Sequence, residues 1–287
     1  MSSRKPFNVT LIQPPGYVHA QALAEAATYL HWAVSMCGYP AALTTNQIGP
    51  NAVNVVLGAH LLQDAVLAKL PPDSIIFNSE QLDDPESLNP NHDGYRRVLD
   101  RCFVWDYSQA NLTQVPHERK AAVPFGYCDA LRRRECARES GNMLLFYGSA
   151  SPRRRQIVRA LESSGTPVTW LFGEYGGERD AKMLRCWAVL NLHKREDAST
   201  FEPIRCFHPL INDVPVVSEE VADATADGFR SSMYFFEPHD LVAGVTRLYA
   251  DGDEFQRTSI AMLAEFRRRS PVPGMAAAIE AFERLRP

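Results

Sequence analysis

The sequence predicts an α/β protein of two domains, each built on a parallel sheet. Short apolar runs alternate with amphipathic stretches, which is the order expected for strand–helix–strand units. The alternation stops near residues 120–141, in a stretch that contains Pro, Gly and a run of charges, and then begins again. At 287 residues the chain also exceeds the usual size of one core. We therefore expect a first domain over 1–128 and a second domain, with the terminal helices, over 129–287.

In the first half, FNVTLIQPPGY predicts a strand that ends in a Pro-Pro-Gly loop. The following AQALAEAATYLHWAVSMCG predicts an Ala/Leu-rich helix that Gly38 terminates. The further short apolar runs are AALTTNQ, VNVVLGA, DSIIFNSEQL and RVLDRCFVWDYS. Each run stops at polar or Gly residues, which is typical of the strands of a parallel α/β sheet.

In the second half, the predicted strands are NMLLFYGSA, TPVTWLFGEYG and VLNLHK, and the helices between them are SPRRRQIVRALESSG and GERDAKMLRCWA. The stretch 198–220 predicts a helix that runs into the buried strand VPVV. A short strand, a helix and a terminal helical region with a break at SPVPG complete the chain. Ligands of open parallel sheets bind beyond the carboxyl ends of the strands, so we expect a site in the loops at those ends.

Composition limits the classes of function. A formal net charge of −4 argues against general binding of nucleic acid. The six cysteines form no CxxC pair, which favours reduced thiols over disulfides or a zinc site. No apolar run reaches ~18 residues, and the first residues lack the apolar core of a signal peptide. We expect a soluble cytoplasmic protein without stable membrane insertion; the arginine clusters at 132–134 and 153–155 leave a peripheral position at the inner membrane open.

The stretch YGSASPRRRQ predicts an anion site. Gly148 and Ser149 follow a strand, and Ser151 suits the N-cap of the next helix. Exposed amides at a helix start, beside Arg153 or Arg154, would bind a diphosphate. A capped helix whose arginines face water explains the same stretch of sequence. The glycines match neither a dinucleotide fingerprint nor a Walker A loop.

Two further loops carry polar candidates. In LFGEYGGERD, the glycines allow tight turns where a planar base would lie against the main chain, although an ordinary strand-to-helix loop fits as well. The segment 199–202 matches the S-x-x-E capping box, in which Glu202 reaches back to the helix start. That interpretation leaves His193 unexplained, and also Arg205, which the helix dipole disfavours in a first turn. A carboxylate for sugar hydroxyls and cations for phosphate would account for the whole set.

Several pieces, in order, resemble a known family. YVHAQALAEAATYL, VWDYSQAN, LLFYGSASPRRRQIVRAL, VLNLH, FEPIRCFHPLINDVPVVSE and MYFFEPHDLV are similar to segments of the bacterial GT-B glycosyltransferases of the group-1 and CgeB-like kind. The resemblance implies two Rossmann-like domains whose parallel sheets face a central cleft. The N-terminal domain would bind an acceptor, and the C-terminal domain would bind a nucleotide-diphosphate sugar as the donor.

The residues and the resemblance together give the candidate site. The expected donor contacts are Gly148, Ser149, Arg153, Arg154, Gly173, Glu174, Tyr175, His193, Ser199, Thr200, Phe201 and Arg205. The expected catalytic residues are Glu202 and, as the base of an inverting mechanism, His19. Related retaining enzymes carry a second glutamate eight positions further on, where this chain has Leu210. Retention or inversion of the anomeric centre is therefore left open.

The resemblance also implies a metal-independent transferase that needs no cofactor apart from its nucleotide-sugar substrate. No DxD-like metal site is evident, so cationic side chains and helix-start amides would replace a cation at the diphosphate. The acceptor would be a glycan, a lipid-linked sugar or a protein, in bacterial polysaccharide or glycoconjugate synthesis. The alternative is a non-catalytic protein that binds a nucleotide sugar or a glycan on the same fold. The oligomeric state is left open.

Overall fold

The computed structural model describes residues 4–82, 92–134, 138–198 and 200–286. The chain divides into two compact units. Unit 1 comprises Met1–Ala130 and Ser270–Pro287, and unit 2 comprises Leu131–Arg269. The junction at 130–131 falls inside the stretch in which the sequence predicts a boundary.

The elements follow one another in strict α/β order. The first part of unit 1 contains β1 (Phe7–Leu11), α1 (Ala24–Met36), β2 (Ala41–Thr45), β3 (Val53–Leu57), α2 (Asp64–Leu67), β4 (Ile75–Asn78), α3 (His92–Arg101), β5 (Phe103–Asp106), α4 (Gln109–Thr113) and β6 (Lys120–Ala122). Unit 2 contains β7 (Leu144–Tyr147), α5 (Pro152–Ser163), β8 (Val168–Leu171), α6 (Gly176–Met183), β9 (Ala188–Asn191), α7 (Pro203–Ile211), β10 (Val216–Glu219), α8 (Ala224–Asp227), β11 (Tyr234–Phe236), α9 (Leu241–Ala250) and α10 (Gly252–Arg267). Helix α11 (Val272–Leu285) ends the chain.

Unit 1 is built on a six-stranded parallel sheet in the order β2-β1-β3-β4-β5-β6. Every side chain of β1, β3, β4 and β5 is buried. Strands covered on both faces need no alternation of polar and apolar residues, which explains the continuous apolar runs of the sequence. The predicted α/β class with parallel sheets is confirmed.

The last helix, α11, belongs to unit 1. Its buried side chains are Met275, Ala278, Ile279 and Phe282, which is the spacing of one helical face. This helix packs against β6 and α1, and the ring of Phe282 meets that of Phe103 edge to face at 5.4 Å between centroids. The predicted grouping of all terminal helices with the second domain differs from this arrangement, because only α10 stays with unit 2.

Unit 2 is built on a five-stranded parallel sheet in the order β11-β10-β9-β7-β8. In each unit, the first strand therefore lies between the second and the third strand of that unit. The connections on either side of this position leave in opposite directions, and ligands of such sheets bind at this switch point. In unit 2 the switch point lies between β7 and β9, so the loops that follow these two strands form the candidate site.

Helix α7 begins later than the sequence predicts. Its first residue is Pro203, and Glu202 stands at the N-cap without a side-chain capping bond, so the predicted capping box is wrong. The carboxylate of Asp223 instead accepts the main-chain N–H of Phe201 at 2.8 Å. Proline suits the first helical position because that position needs no amide donor. Strand β10 likewise begins at Val216, two residues after the predicted start.

The arginine cluster at 132–134 is not a free basic patch. Arg132 donates to the carbonyl of Ile211 at 2.6 Å and pairs with Asp213, so it holds the carboxyl end of α7. Arg133 Nε donates to Asp180 Oδ2 at 2.6 Å. These bonds fix the beginning of unit 2 onto α6 and α7.

Asp180 is the centre of a buried ionic cluster. Its Oδ1 lies 2.7 Å from Arg179 Nη2 and 3.1 Å from His208 Nε2, and its exposure is only 3%. Burial opposes ionisation of Asp180, but His208 and Arg179 outweigh it and hold the pKa of this carboxyl well below its usual range.

Among the described helices, none combines the length and the apolarity needed to cross a bilayer.

Asp180→Asn should destabilise unit 2, because it leaves the surrounding cations without a charge partner. At pH 7 we expect a loss of about 3 kcal/mol in the free energy of unfolding, measured by urea denaturation. Since the carboxyl pKa is depressed in the folded state, its contribution is present above the unfolded pKa of about 4 and fades as the pH falls below it. The difference between variant and wild type should therefore shrink toward pH 3.

The matched control is Asp253→Asn, which changes an exposed carboxylate in the first turn of α10. We expect it to cost about 0.5 kcal/mol through the helix dipole. Equal stabilities of Asp180→Asn and this control at pH 7 would contradict the importance of the cluster.

Candidate functional site

The loop after β7 leads into α5 as the sequence predicts. Ser151 is the N-cap, and its hydroxyl accepts the main-chain N–H of Arg154 at 3.2 Å. The side chain of Arg154 turns inward, where Nη2 and Nε donate to the carbonyl of Leu192 at 2.7 and 3.1 Å. Its Nη1 donates to the carbonyl and the hydroxyl of Ser149 at 2.9 and 3.2 Å. Arg154 therefore ties the loop after β7 to the loop after β9.

Arg154 keeps its charge although it is only 2% exposed. Burial, followed by the nearby Arg205, lowers the pKa of Arg154 to about 10, which is still well above neutral pH. The prediction that Arg154 contacts a diphosphate directly has to be revised, since its donors already serve main-chain carbonyls. Its charge nevertheless acts over the whole site.

Arg153, the first arginine of the cluster at 153–155, is paired with Glu219 at the end of β10. Arg153 Nη1 donates to Glu219 Oε2 at 2.9 Å, and Nη2 bonds Oε1, so the contact is bidentate. Arg153 Nη1 also donates to the carbonyl of His193 at 3.1 Å, while the main-chain N–H of His193 donates to Glu219 Oε2 at 2.6 Å. Because Glu219 is fully buried, this pair is an integral part of the folded loop.

The acid and the base at the head of α7 form an ion pair. Arg205 Nη1 donates to Glu202 Oε2 at 2.7 Å and to Asn191 Oδ1 at 2.6 Å. The network continues inward, since Asn191 Nδ2 donates to the hydroxyl of Ser218 at 2.9 Å. The Tyr147 hydroxyl donates to the carbonyl of Arg205 at 2.7 Å. The ends of β7, β9 and β10 are thereby joined to the first turn of α7.

Glu202 remains ionised in this setting. Burial opposes its charge, but Arg205, Arg154 and His193 outweigh that effect and lower the pKa of Glu202. The pair is also accessible, with 26% of the Glu202 side chain and 15% of the Arg205 side chain exposed. Among the described residues, Glu202 Oε1 has no hydrogen-bond partner, so this oxygen is available to a ligand.

Two buried polar atoms of the same region lack a partner among the described residues, namely His193 Nε2 and Thr200 Oγ1. Burial lowers the pKa of His193, so its imidazole is neutral at pH 7. This differs from the predicted role of His193 as a cation for phosphate.

The glycine loop after β8 has the predicted turns, because Gly173 and Gly176 have positive φ angles of 78° and 57°. Backbone of this kind suits only glycine without strain. Glu174 forms an ion pair with Lys182 in the last turn of α6, and the half-buried Tyr175 is the N-cap of that helix. These contacts show an ordinary strand-to-helix loop, and the base contacts predicted for it remain predictions.

The remaining candidates are placed as follows. Phe201 is buried against the ring of Phe229. Its main-chain N–H donates to the carboxylate of Asp223, whereas the prediction had this N–H pointing toward a phosphate. Ser199 lies outside the described residues. His19 belongs to unit 1, half-buried in the 3₁₀ turn after β1, with its ring 5.5 Å from that of Tyr17. Gly148 follows β7, and its carbonyl accepts from Trp170 Nε1 at 3.0 Å.

Three residues that hold the site together were not among the predicted site residues. Asn191, Ser218 and Glu219 are fully buried at the ends of β9 and β10. The sequence did contain a signal for them, because the apolar runs VLN and VVSE end in polar residues. Polar side chains that are buried with their strand need hydrogen-bond partners. Tyr147 at the end of β7 has the same position and the same kind of role.

No protein-family model matches the chain. Sequence relatives are found among uncharacterized proteins of Acanthamoeba polyphaga mimivirus. One is 30% identical over 173 residues, which are 58% of this chain and 23% of the relative. Another is 27% identical over 181 residues, 60% of this chain and 57% of the relative. The chain thus spans between about a quarter and just over half of the length of these curated relatives.

Solved structures are similar over nearly the whole chain. HepE of Anabaena, in complex with UDP and glucose, has a TM-score of 0.59 at 13% identity and is matched over 97% of this chain and 100% of its own. The T4 phage enzyme BGT, in complex with its UDP-glucose substrate, has a TM-score of 0.50 at 10% identity over 97% of both chains. The fold is GT-B. At such identities the likeness establishes the fold alone.

A third GT-B neighbour is the UDP-forming α,α-trehalose-phosphate synthase of Burkholderia xenovorans, with a TM-score of 0.50 at 13% identity. It is matched over 82% of this chain and 74% of its own. Membership in a bacterial, CgeB-like family stays a prediction, since the sequence relatives are viral proteins.

Arg154→Met should destabilise the GT-B chain, because the buried carbonyl group of Leu192 and the carbonyl group of Ser149 lose their donors. We expect a loss of about 3 kcal/mol in the free energy of unfolding, measured by urea denaturation. Arg154→Lys should recover only part of it, since one ammonium does not reach both loops. The matched control is its exposed neighbour, Arg155→Met, with an expected change within about 0.5 kcal/mol. Similar stabilities for Arg154→Met and Arg155→Met would show that Arg154 has no structural role.

Proposed function

We propose that this chain is a glycosyltransferase that moves a sugar from a nucleotide-diphosphate donor to an acceptor in glycan or glycoconjugate synthesis. The observation that supports this most is the Glu202–Arg205 ion pair, which is partly exposed to solvent beside the switch point of unit 2. In this GT-B fold, HepE is seen with UDP and glucose and BGT with UDP-glucose, so a uridine nucleotide is the first donor to test. The acceptor would be a glycan, a lipid-linked sugar or a protein.

The pair offers two complementary kinds of contact. Arg205 is a permanent cation at a helix start, where the amide dipoles also favour an anion. Glu202 Oε1 accepts hydroxyl groups. A nucleotide-diphosphate sugar presents a dianionic diphosphate between two hydroxyl-bearing rings, so it fits an arginine and a glutamate that stand side by side.

The chemical step would use the same charges. When the sugar–phosphate bond breaks, the leaving nucleoside diphosphate gains negative charge. Arg205 and the buried charge of Arg154 would stabilise that charge, and a site shielded from water strengthens the effect. We propose that no metal and no cofactor is needed beyond the nucleotide sugar itself. For an inverting reaction, His19 of unit 1 is the candidate base.

A non-catalytic protein that binds a nucleotide sugar is the second candidate. Leu210, which stands where related retaining enzymes carry a second glutamate, is fully buried. Helix α7 therefore offers no second carboxylate from that position. Binding without turnover would favour this candidate.

Nucleotide binding tests the proposal first. In isothermal titrations with UDP, GDP, CDP and dTDP, we expect one diphosphate to bind with a Kd on the order of micromolar. Arg205→Lys should weaken it about tenfold, since an ammonium cannot reproduce the planar contacts of the guanidinium to Asn191 and an anion. The control Glu280→Gln, an exposed site on α11, should bind like wild type. Binding by none of the four nucleotides would overturn the proposal.

Turnover separates the two candidates. Incubation with UDP-glucose and other nucleotide sugars should release free nucleoside diphosphate, detected by a coupled assay, and the rate should persist in the presence of EDTA. Glu202→Gln should lower the rate by at least about tenfold, because it removes a charged acceptor for hydroxyl groups. Tight binding of a nucleotide sugar without any release, across a panel of acceptors, would instead support the non-catalytic candidate.

A further inference from the structure

Two buried polar atoms without a hydrogen-bond partner among the described residues, His193 Nε2 and Thr200 Oγ1, indicate which chemical group of a ligand would bind at the switch point. His193 is 3% exposed and Thr200 is 1% exposed, and both lie in the segment between β9 and α7. A buried polar atom without a partner is unfavourable, because it has lost its hydrogen bonds to water. Other buried polar side chains of this region, such as Asn191 and Ser218, are hydrogen-bonded. His193 Nε2 and Thr200 Oγ1 are therefore able to accept a hydrogen bond from an external group.

The imidazole of His193 is a neutral group. Burial lowers its pKa, the attraction of Glu202 and Glu219 opposes this, and the nearby Arg205 and Arg153 lower the pKa further. A neutral imidazole has one N–H and one lone pair, so the question is which nitrogen carries the proton.

Glu219 answers that question. Its Oε2 lies 3.8 Å from His193 Nδ1 and is held in place by the main-chain N–H of the same residue at 2.6 Å. A proton on Nδ1 is attracted to this carboxylate, whereas a lone pair on Nδ1 would be repelled by it. The favoured tautomer therefore carries its proton on Nδ1 and its lone pair on Nε2.

We propose that His193 Nε2 accepts a hydrogen bond from a hydroxyl group of the ligand, and that Glu219 is the positioning residue that selects the required tautomer. An ionised phosphate oxygen has no proton to give and does not fit Nε2. A hydroxyl group fits both atoms, because Thr200 Oγ1 is able to donate or to accept. For the ligand, the inference rests on the proposed function, in which the hydroxyls belong to the ribose or to the transferred sugar. For the tautomer, it rests on the geometry of Glu219, the carboxylate that lies against Nδ1, and not on the proposed function.

The experiment is ¹⁵N NMR of histidine side chains in the full chain, with UDP, UDP-glucose and glucose as probes. The His193 signals are assigned by their absence in His193→Gln. We expect the free protein at pH 7 to show the Nδ1–H tautomer, with an Nε2 signal typical of a lone pair. A shift of that signal with UDP assigns the hydroxyl to the ribose, and a shift that needs UDP-glucose or glucose assigns it to the sugar.

Variants test the same contact by affinity. His193→Phe should weaken the probe that shifts Nε2 about tenfold, whereas His193→Gln, whose amide oxygen accepts, should stay within about threefold of wild type. Glu219→Gln should produce a second tautomer in the spectrum. The control is His239→Gln, because His239 is 78% exposed and lies outside the site; it should leave both affinity and the His193 signals unchanged.

Two results would overturn the inference: a proton on Nε2 in the free wild-type protein, or an Nε2 signal that none of the three probes shifts. The titrations of the nucleoside diphosphates decide the proposed function separately. If no nucleotide binds, the proposed function fails, while the tautomer and the response to glucose still decide the present inference.

Discussion

A carboxylate that is shielded from water has to be surrounded by hydrogen-bond donors, and Glu219 imposes this requirement on the carboxyl edge of the second sheet. Its partners come from two other elements, the side chain of Arg153 in α5 and the main chain of His193 after β9. Arg154 meets the same requirement with the opposite charge, since it binds the carbonyl groups of Leu192 and Ser149. The loops at the switch point are therefore held by charged hydrogen bonds in addition to apolar packing, to which Leu192 and Phe201 contribute.

This arrangement determines which groups are left for a ligand. Arg154 is buried and bonded to the protein, whereas Arg205 and Glu202 are partly exposed and pair with one another. Arg153 is exposed to a degree similar to that of Arg205, but its guanidinium is held by the buried Glu219. A ligand that offers an anion to Arg205 and a hydroxyl to Glu202 need not break their ion pair, because each residue has further donor or acceptor capacity. A site that is already ordered before binding loses less conformational entropy when the ligand arrives.

The fold was predictable because the buried strands of a parallel sheet are short, mainly apolar runs in the sequence. Runs such as VNVVL and IIFN are apolar except for one asparagine each, and both form strands buried on both faces. The assignment of α11 to unit 1 was not predictable, since its apolar face at 275, 278, 279 and 282 would fit either sheet. Within the site, Ser151 was predictable from local capping rules. The partners of Arg153 and Arg154 were not, because Glu219 and Leu192 are 66 and 38 residues away.

The charged side chains around the switch point of unit 2 do not cancel. Three arginines of the site (Arg153, Arg154 and Arg205) face two glutamates (Glu202 and Glu219), and His193 is neutral, so these six side chains carry one net positive charge. Leu210 adds no charge to this set, and its side chain is fully buried. A carboxylate at that position would be costly to bury unless a cation came within reach of it. One positive charge of this set is therefore not balanced by a carboxylate, and under the proposed function that charge would attract the diphosphate of the donor.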